Sequence, residues 1–144
     1  MAIAHFSVSI VARGSGRSAV LSAAYRHCAR MDYEREARTV DYTRKQGLVH
    51  EEFLLPAGAP AWARALIADR SIAGASEAFW NEVECFEKRS DAQLAKDLTI
   101  ALPVELTTEQ NIALCEAQAY VFRAKDRIAE VYEALGSGDR ARQL

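Results

Sequence analysis

Acid is missing from the first thirty residues of this chain, where Arg13, Arg17, Arg26 and Arg30 stand without a single Asp or Glu. No local carboxylate neutralises them, so this stretch suits a phosphate-bearing partner that arginine forks can hold through paired oxygens. Histidine is scarce: His5, His27 and His50 fall on three different elements, and none follows residue 50. The three cysteines (Cys28, Cys85 and Cys115) are far apart, odd in number and without metal-ligand spacing. That pattern excludes a disulfide framework and reads as reduced, packed thiols. There is no leading apolar signal segment and no run long enough to span a bilayer, so a soluble, cytoplasmic protein without membrane partners is expected. Internal repeats and low-complexity segments are absent as well.

What is present is enough for a core. Half of the 144 residues are apolar, which suits one compact domain. The formal charge of −2 does not announce a nucleic-acid binder, but its distribution is uneven. Residues 1–50 hold eight Lys/Arg against four Asp/Glu, whereas residues 51–144 hold ten against sixteen. A basic first half could follow a phosphate backbone, or it could be an ordinary solvated charge mixture.

Residues 3–11 alternate Ala4, Phe6, Val8 and Ile10 with His5, Ser7 and Ser9, the period of a strand with one buried and one polar face. Arg13-Gly-Ser-Gly-Arg17 then turns the chain. Its backbone N–H groups, with those of the following helix start, could hold a phosphate. The spacing predicts a helix from Arg17 or Ser18 to Met31, with Val20, Leu21, Ala24, Cys28 and Met31 on one apolar stripe. Tyr25 lies just beyond the edge of that stripe, so its ring can lean on the core while its hydroxyl reaches solvent or a ligand. An amphipathic boundary tyrosine without chemistry has the same pattern. Arg26 and Arg30 lie further round, on the polar side.

Residues 32–46 read as a charged connection entering a hairpin with its turn at Arg44-Lys-Gln-Gly47, and residues 48–55 as a strand ended by Pro56. Tyr33 and Tyr42, interleaved with Arg35, Arg38, Arg44 and Lys45, could stack on single-stranded bases or simply pack in a solvated loop. Pro60 opens a short helix bearing Trp62, Leu66 and Ile67. A second helix begins between Ser71 and Ser76 and runs to about Arg89, its core stripe being Phe79, Trp80, Val83 and Phe86. Ser90-Asp-Ala-Gln93 has capping-box form and suggests a further short helix. Asp97 to Leu102 alternates as a strand, with Leu98, Ile100 and Leu102 on one side and Asp97 and Thr99 on the other. Thr107-Thr-Glu-Gln110 is a second capping box, opening a helical pattern that extends to about Leu135, where Gly136-Ser-Gly138 stops it.

Several of these blocks, in this order, resemble MobA/MobL-type relaxases, including the relaxase portion of agrobacterial and rhizobial TraA proteins. They are the opening Met-Ala-Ile-Ala-His5-Phe-Ser, Gly16-Arg-Ser-Ala-Val-Leu-Ser-Ala-Ala-Tyr25-Arg, Asp41-Tyr-Thr-Arg, His50-Glu-Glu-Phe-Leu-Leu-Pro56, Phe79-Trp-Asn-Glu-Val-Glu and Ala101-Leu-Pro-Val-Glu-Leu-Thr107. The resemblance covers about residues 1–114 and implies an α+β, HUH-type fold, an antiparallel sheet packed by helices on one face and open to DNA on the other. It implies that Tyr25 is the nucleophile that nicks one DNA strand at a plasmid transfer origin and stays joined to the 5′ phosphate. Arg13, Arg17, Ser18 and Arg26 are the expected phosphate contacts, by position around Tyr25.

In the resembling family a divalent ion, Mg or Mn, sits on a histidine cluster that includes a His-x-His pair on a later strand. This sequence has no such pair. The expectation is a relaxase front part over 1–114, lacking the later strands that carry the ligands, with a diverging helical tail over 115–144. Such a chain is not expected to bind the ion alone, and is expected to be catalytically incomplete. His5, Asp97 and Glu105 could line a polar face if their strands pair. The alternative is a non-catalytic module that binds single-stranded DNA or other proteins of the transfer complex.

Overall fold

The computed structural model describes residues 5–117. The chain is α+β, built from two small antiparallel sheets and helices, and divides into two units. Phe6–Thr99 forms the unit that concerns the site; Met1–His5 with Ile100–Leu144 forms the other.

The alternating N-terminal segment forms β1, Phe6–Ala12, and the later alternating segment forms β4, Gln93–Ile100, its hydrogen-bonded neighbour. Arg13 N–H donates to the Ala92 carbonyl at 2.9 Å. The end of β1 therefore lies beside the start of β4, and the strands run antiparallel. Burial departs from the expected pattern. Phe6 is 54% and Val8 51% exposed, and the strand is covered only at its end, where Val11 packs with Ala19, Ala92 and Leu94. Period-two alternation says which residues share a face; it does not say that anything covers that face.

After β1 a 3-10 turn over Arg13–Ser15 ends at Gly16, whose φ of 74° favours a residue without a Cβ. Helix α1, Ala19–His27, follows, with Ser18 as N-cap accepting from Leu21 N–H. It stops four residues before the expected Met31. Cys28 enters the left-handed region at φ 51°, its N–H returns to the Tyr25 carbonyl at 3.4 Å, and Ala29 N–H returns to Ala24 at 3.0 Å. This is a Schellman closure with cysteine where glycine is usual.

The chain then forms β2, Arg30–Tyr33, and β3, Arg38–Asp41, paired antiparallel with Met31 opposite Val40 and Tyr33 opposite Arg38. The hairpin thus begins where the helix was expected to end and continues through the stretch expected to be a connection, turning through Glu34–Glu36 and a left-handed Ala37. No Gly or Asn marks that turn, so its usual sequence signal is missing. Gly47 does have a turn glycine's φ of 100°, but no strands flank it. The strand expected over 48–55 does not form, because no ladder partner meets it. Phe53 instead sets its ring edge-on to Phe79 at 5.4 Å.

Helices α2, Ala61–Ile67, and α3, Ile72–Phe86, form as the apolar spacing predicts. Trp80 and Val83 face the core, but Phe86, counted in the stripe, is 79% exposed. Between Arg89 and Gln93 there is a turn and no short helix, since β4 begins at Gln93. Val20, Ala23 and Ala24 of α1 pack with Met31 and Tyr33 into the main core cluster. Full burial of side chains such as Val20 and Met31 contributes about 1.5–3 kcal/mol each.

In the other unit, Ala101 N–H bonds the His5 carbonyl at 2.9 Å. The second capping box closes as expected: Thr107 N–H donates to Gln110 Oε1 at 2.9 Å, and Gln110 N–H to Thr107 Oγ1 at 3.2 Å. Helix α4 follows from 108 to 117, where the described residues end. The expected continuation to Leu135 and the Gly136–Gly138 stop lie outside them.

Candidate functional site

A buried carboxylate sets the helix that carries Tyr25. Glu84 on α3 is fully buried at the start of α1. Its Oε1 accepts from Ala19 N–H at 2.8 Å, and its Oε2 takes Arg13 Nη2 at 2.9 Å and the Tyr33 hydroxyl at 3.4 Å. An anion belongs at a helix N-terminus, where backbone N–H groups lack partners and the helix dipole is positive. In this chain the anion is internal. The phosphate expected at this turn would meet a position already taken by Glu84.

Arg13 is engaged accordingly. Its Nη1 donates to the Glu87 and Arg89 carbonyls, both at 2.7 Å, and its Nη2 donates also to the Glu84 carbonyl at 3.1 Å. Its side chain is only 12% exposed. Arg13, expected among the phosphate contacts, thus anchors the end of α3 to the β1 turn. Ser18 is buried too, its oxygen used as the cap of α1. The sequence places both residues near Tyr25 along the chain, and the fold engages the polar atoms of both internally.

Arg17 and Arg26 behave differently. Both converge on Asp97 of β4. Arg26 Nη2 lies 2.8 and 2.9 Å from the two carboxylate oxygens and 3.2 Å from Thr99 Oγ1. Arg17 Nη1 donates to Ser9 Oγ and the Ile10 carbonyl, at 3.1 and 3.0 Å, and its Nη2 stands 3.6 Å from Asp97. Side-chain exposures of 51% for Arg26 and 37% for Arg17 leave both in reach of a ligand. The polar row of the sheet (Ser9, Asp97 and Thr99) thereby holds two guanidinium groups in place.

Tyr25 is 47% exposed. With Arg17, Arg26, Asp97 and Tyr42 it lines an open groove of about 410 Å³. Its ring meets the edge of Tyr42 at 5.4 Å, and Lys45 Nζ lies 4.5 Å from its centroid. Tyr33, considered as a base-stacking platform, is instead buried in the core. Burial pushes its phenol above the usual tyrosine value; a hydrogen bond with Ser18 pulls the other way and the charge of Glu84 adds to the rise.

Two of the histidines pair with glutamates. His27 Nδ1 is 2.7 Å from Glu51 and His50 Nε2 is 2.7 Å from Glu52. His5 and Glu105 belong to the other unit. Among the described residues, no three His, Cys, Asp or Glu side chains come together in a way that could hold a metal ion.

Sequence reasoning missed Glu84 and its neighbours on α3. Glu77 Oε2 accepts from Asp32 N–H, Asn81 Oδ1 accepts from Glu34 N–H, and Asn81 Nδ2 donates to the Asp32 carbonyl. The signal was present as a polar row at helical spacing, 77, 81 and 84, beside the apolar one. Asn81 and Glu84 are buried polar groups, which always demand partners.

Residues 17–129 match the MobA/MobL family. The chain belongs to that family. Over 114 residues it is 82% identical to the conjugal transfer protein TraA of Rhizobium radiobacter, a match covering 79% of this chain and 10% of that protein. It is 43% identical over 119 residues to the mobilization protein MobL of Acidithiobacillus ferridurans, covering 83% of this chain and 28% of that one. A solved structure described as the molecular basis of vancomycin resistance transfer in Staphylococcus aureus is similar with a TM-score of 0.67 at 30% identity. That likeness covers 81% of this MobA/MobL chain and 54% of the other. The chain spans about a tenth of the length of its TraA relatives. Among its described residues no helix is long and apolar enough to cross a membrane.

Proposed function

We propose that this MobA/MobL chain is the nucleophile-bearing front of a conjugative relaxase, with single-stranded DNA from a plasmid transfer origin as substrate. The observation that carries this reading is the half-exposed Tyr25 in one groove with Arg17 and Arg26. In the proposed step the Tyr25 phenolic oxygen bonds to a backbone phosphorus and the bond from phosphorus to the 3′ oxygen breaks. The phenolic proton ends on that oxygen, leaving a free 3′-hydroxyl and a tyrosine joined to the 5′ phosphate. Negative charge gathers on the phosphoryl oxygens as this happens, and fixed cations stabilise it without having to reorient. Arg26 reaches Asp97 and Thr99 through one nitrogen, Nη2, so other N–H groups of its guanidinium remain to meet a phosphate. Ser9 and Asp97 hold Arg17 in a similar way.

Incubation with oligonucleotides spanning a cognate transfer origin, with manganese or magnesium present, tests this directly. A protein–DNA adduct seen by mass and abolished in Tyr25→Phe would support the assignment; an adduct unchanged in that variant would sink it. A second reading, a module that binds single-stranded DNA without cutting it, is favoured by the separate pairing of His27 and His50 with glutamates. Binding with no adduct from the wild type would select it.

A further inference from the structure

One turn grips the ring of Tyr25. Asp41, at the end of β3, accepts from Thr43 N–H at 2.8 Å and from its hydroxyl at 2.6 Å. Lys45 N–H closes back on the Tyr42 carbonyl at 2.9 Å, and Tyr42 N–H ties the turn to Ala29, just past α1, at 3.1 Å. These bonds deliver two side chains onto one ring. Tyr42 meets Tyr25 edge-on, with ring planes 86° apart, and the Lys45 ammonium stands over the face at 4.5 Å. The ammonium also lies 3.7 Å from Cys28 Sγ, the residue whose left-handed backbone ends α1. A tyrosine at a helix edge has rotamer freedom to lose before it can attack anything. Here an edge contact and a cation contact together define the ring's plane, and both come from residues 42–45.

We propose that Lys45 is a positioning residue for Tyr25, and that this position requires its positive charge as well as its length. The proposal rests on the reading of Tyr25 as nucleophile. A cation over a ring face is attracted by the ring's quadrupole, and the attraction grows as the phenol loses its proton and the ring gains electron density. Lys45 takes no part in the transfer. It fixes the ring and favours the charge that passes through it.

The test uses the full chain with Lys45→Met, which keeps the length and loses the charge, and Lys45→Arg, which keeps the charge. Adduct formation is timed at saturating oligonucleotide, and affinity is read separately by fluorescence anisotropy across a salt series. Lys45→Met is expected to slow adduct formation about tenfold, with affinity within about twofold of wild type and the salt slope unchanged. Lys45→Arg is expected to recover most of the rate. Equal impairment in both variants would mean that exact shape alone matters and would overturn the charge requirement. A salt slope lowered by about 0.7 in Lys45→Met would mean a direct phosphate contact instead, and would overturn the positioning role. If the wild type forms no adduct, the nucleophile reading fails on its own account. The ring resonances of Tyr25 then decide the clamp: a shift in Lys45→Met that Lys45→Arg does not show supports it, and wild-type signals in Lys45→Met refute it.

Discussion

Glu84 is the residue on which most depends. Removing one member of a buried ion pair leaves the other charge without a partner, which costs about 3–5 kcal/mol. Glu84→Ala is therefore expected to destabilise the protein by that amount in denaturant titration, because Arg13, Ala19 N–H and the Tyr33 hydroxyl all lose a partner. Tyr33 adds a pH dependence. Its pKa is raised in the folded state, so its contribution is fully present below the unfolded value near 10.0 and is lost as pH rises through the folded value. Alkaline melts of the wild type should fall more steeply above pH 10 than those of Tyr33→Phe. At the other end of the scale, Thr43 holds the Asp41 carboxyl below its usual value of 3.8. That contribution is present above 3.8 and fades as pH falls through the lower folded value, loosening the turn that carries Tyr42 and Lys45.

At the scale of elements, the closure of α1 has a measurable strain. A non-glycine residue in the left-handed region costs about 1 kcal/mol, and Cys28 occupies that region at φ 51°. Cys28→Gly should therefore raise stability by about 0.5–1 kcal/mol in a thermal or denaturant melt. The elements that local pattern determines were legible in the sequence. β1, α2, α3 and the Thr107 capping box follow from alternation, helical spacing or a four-residue signature, and Tyr25 does sit at the boundary of α1. What was not legible depended on partners far along the chain. The segment 48–55 has strand-like composition but no strand to pair with, while β2 and β3 pair through a turn that no glycine announces. Arg13 looks like a groove residue until Glu84, 71 residues further on, draws it inward.

For the molecule as a whole, the mildly acidic total matters less than where cations remain available. Arg17 and Arg26 are exposed beside Tyr25, whereas Arg13 is internally bonded. On the proposed reading, single-stranded DNA affinity should fall with rising salt. Arg17→Ala and Arg26→Ala should each lower the slope of log K against log salt by about 0.7. Arg13→Ala should leave that slope unchanged and lower the melting temperature instead. A slope that responds to Arg13 and ignores Arg26 would reverse the assignment.

The carboxylate at the start of α1 also bears on the order of events during synthesis. Ala19 and Glu84 are separated by 65 residues, so the Ala19 N–H cannot meet its carboxylate partner until α3 has left the ribosome. Until then Tyr25 belongs to a helix with an open end, and the groove around it has neither Asp97 nor its aligned arginines. The nucleophile is encoded early and becomes a shaped site only once most of the Phe6–Thr99 unit exists.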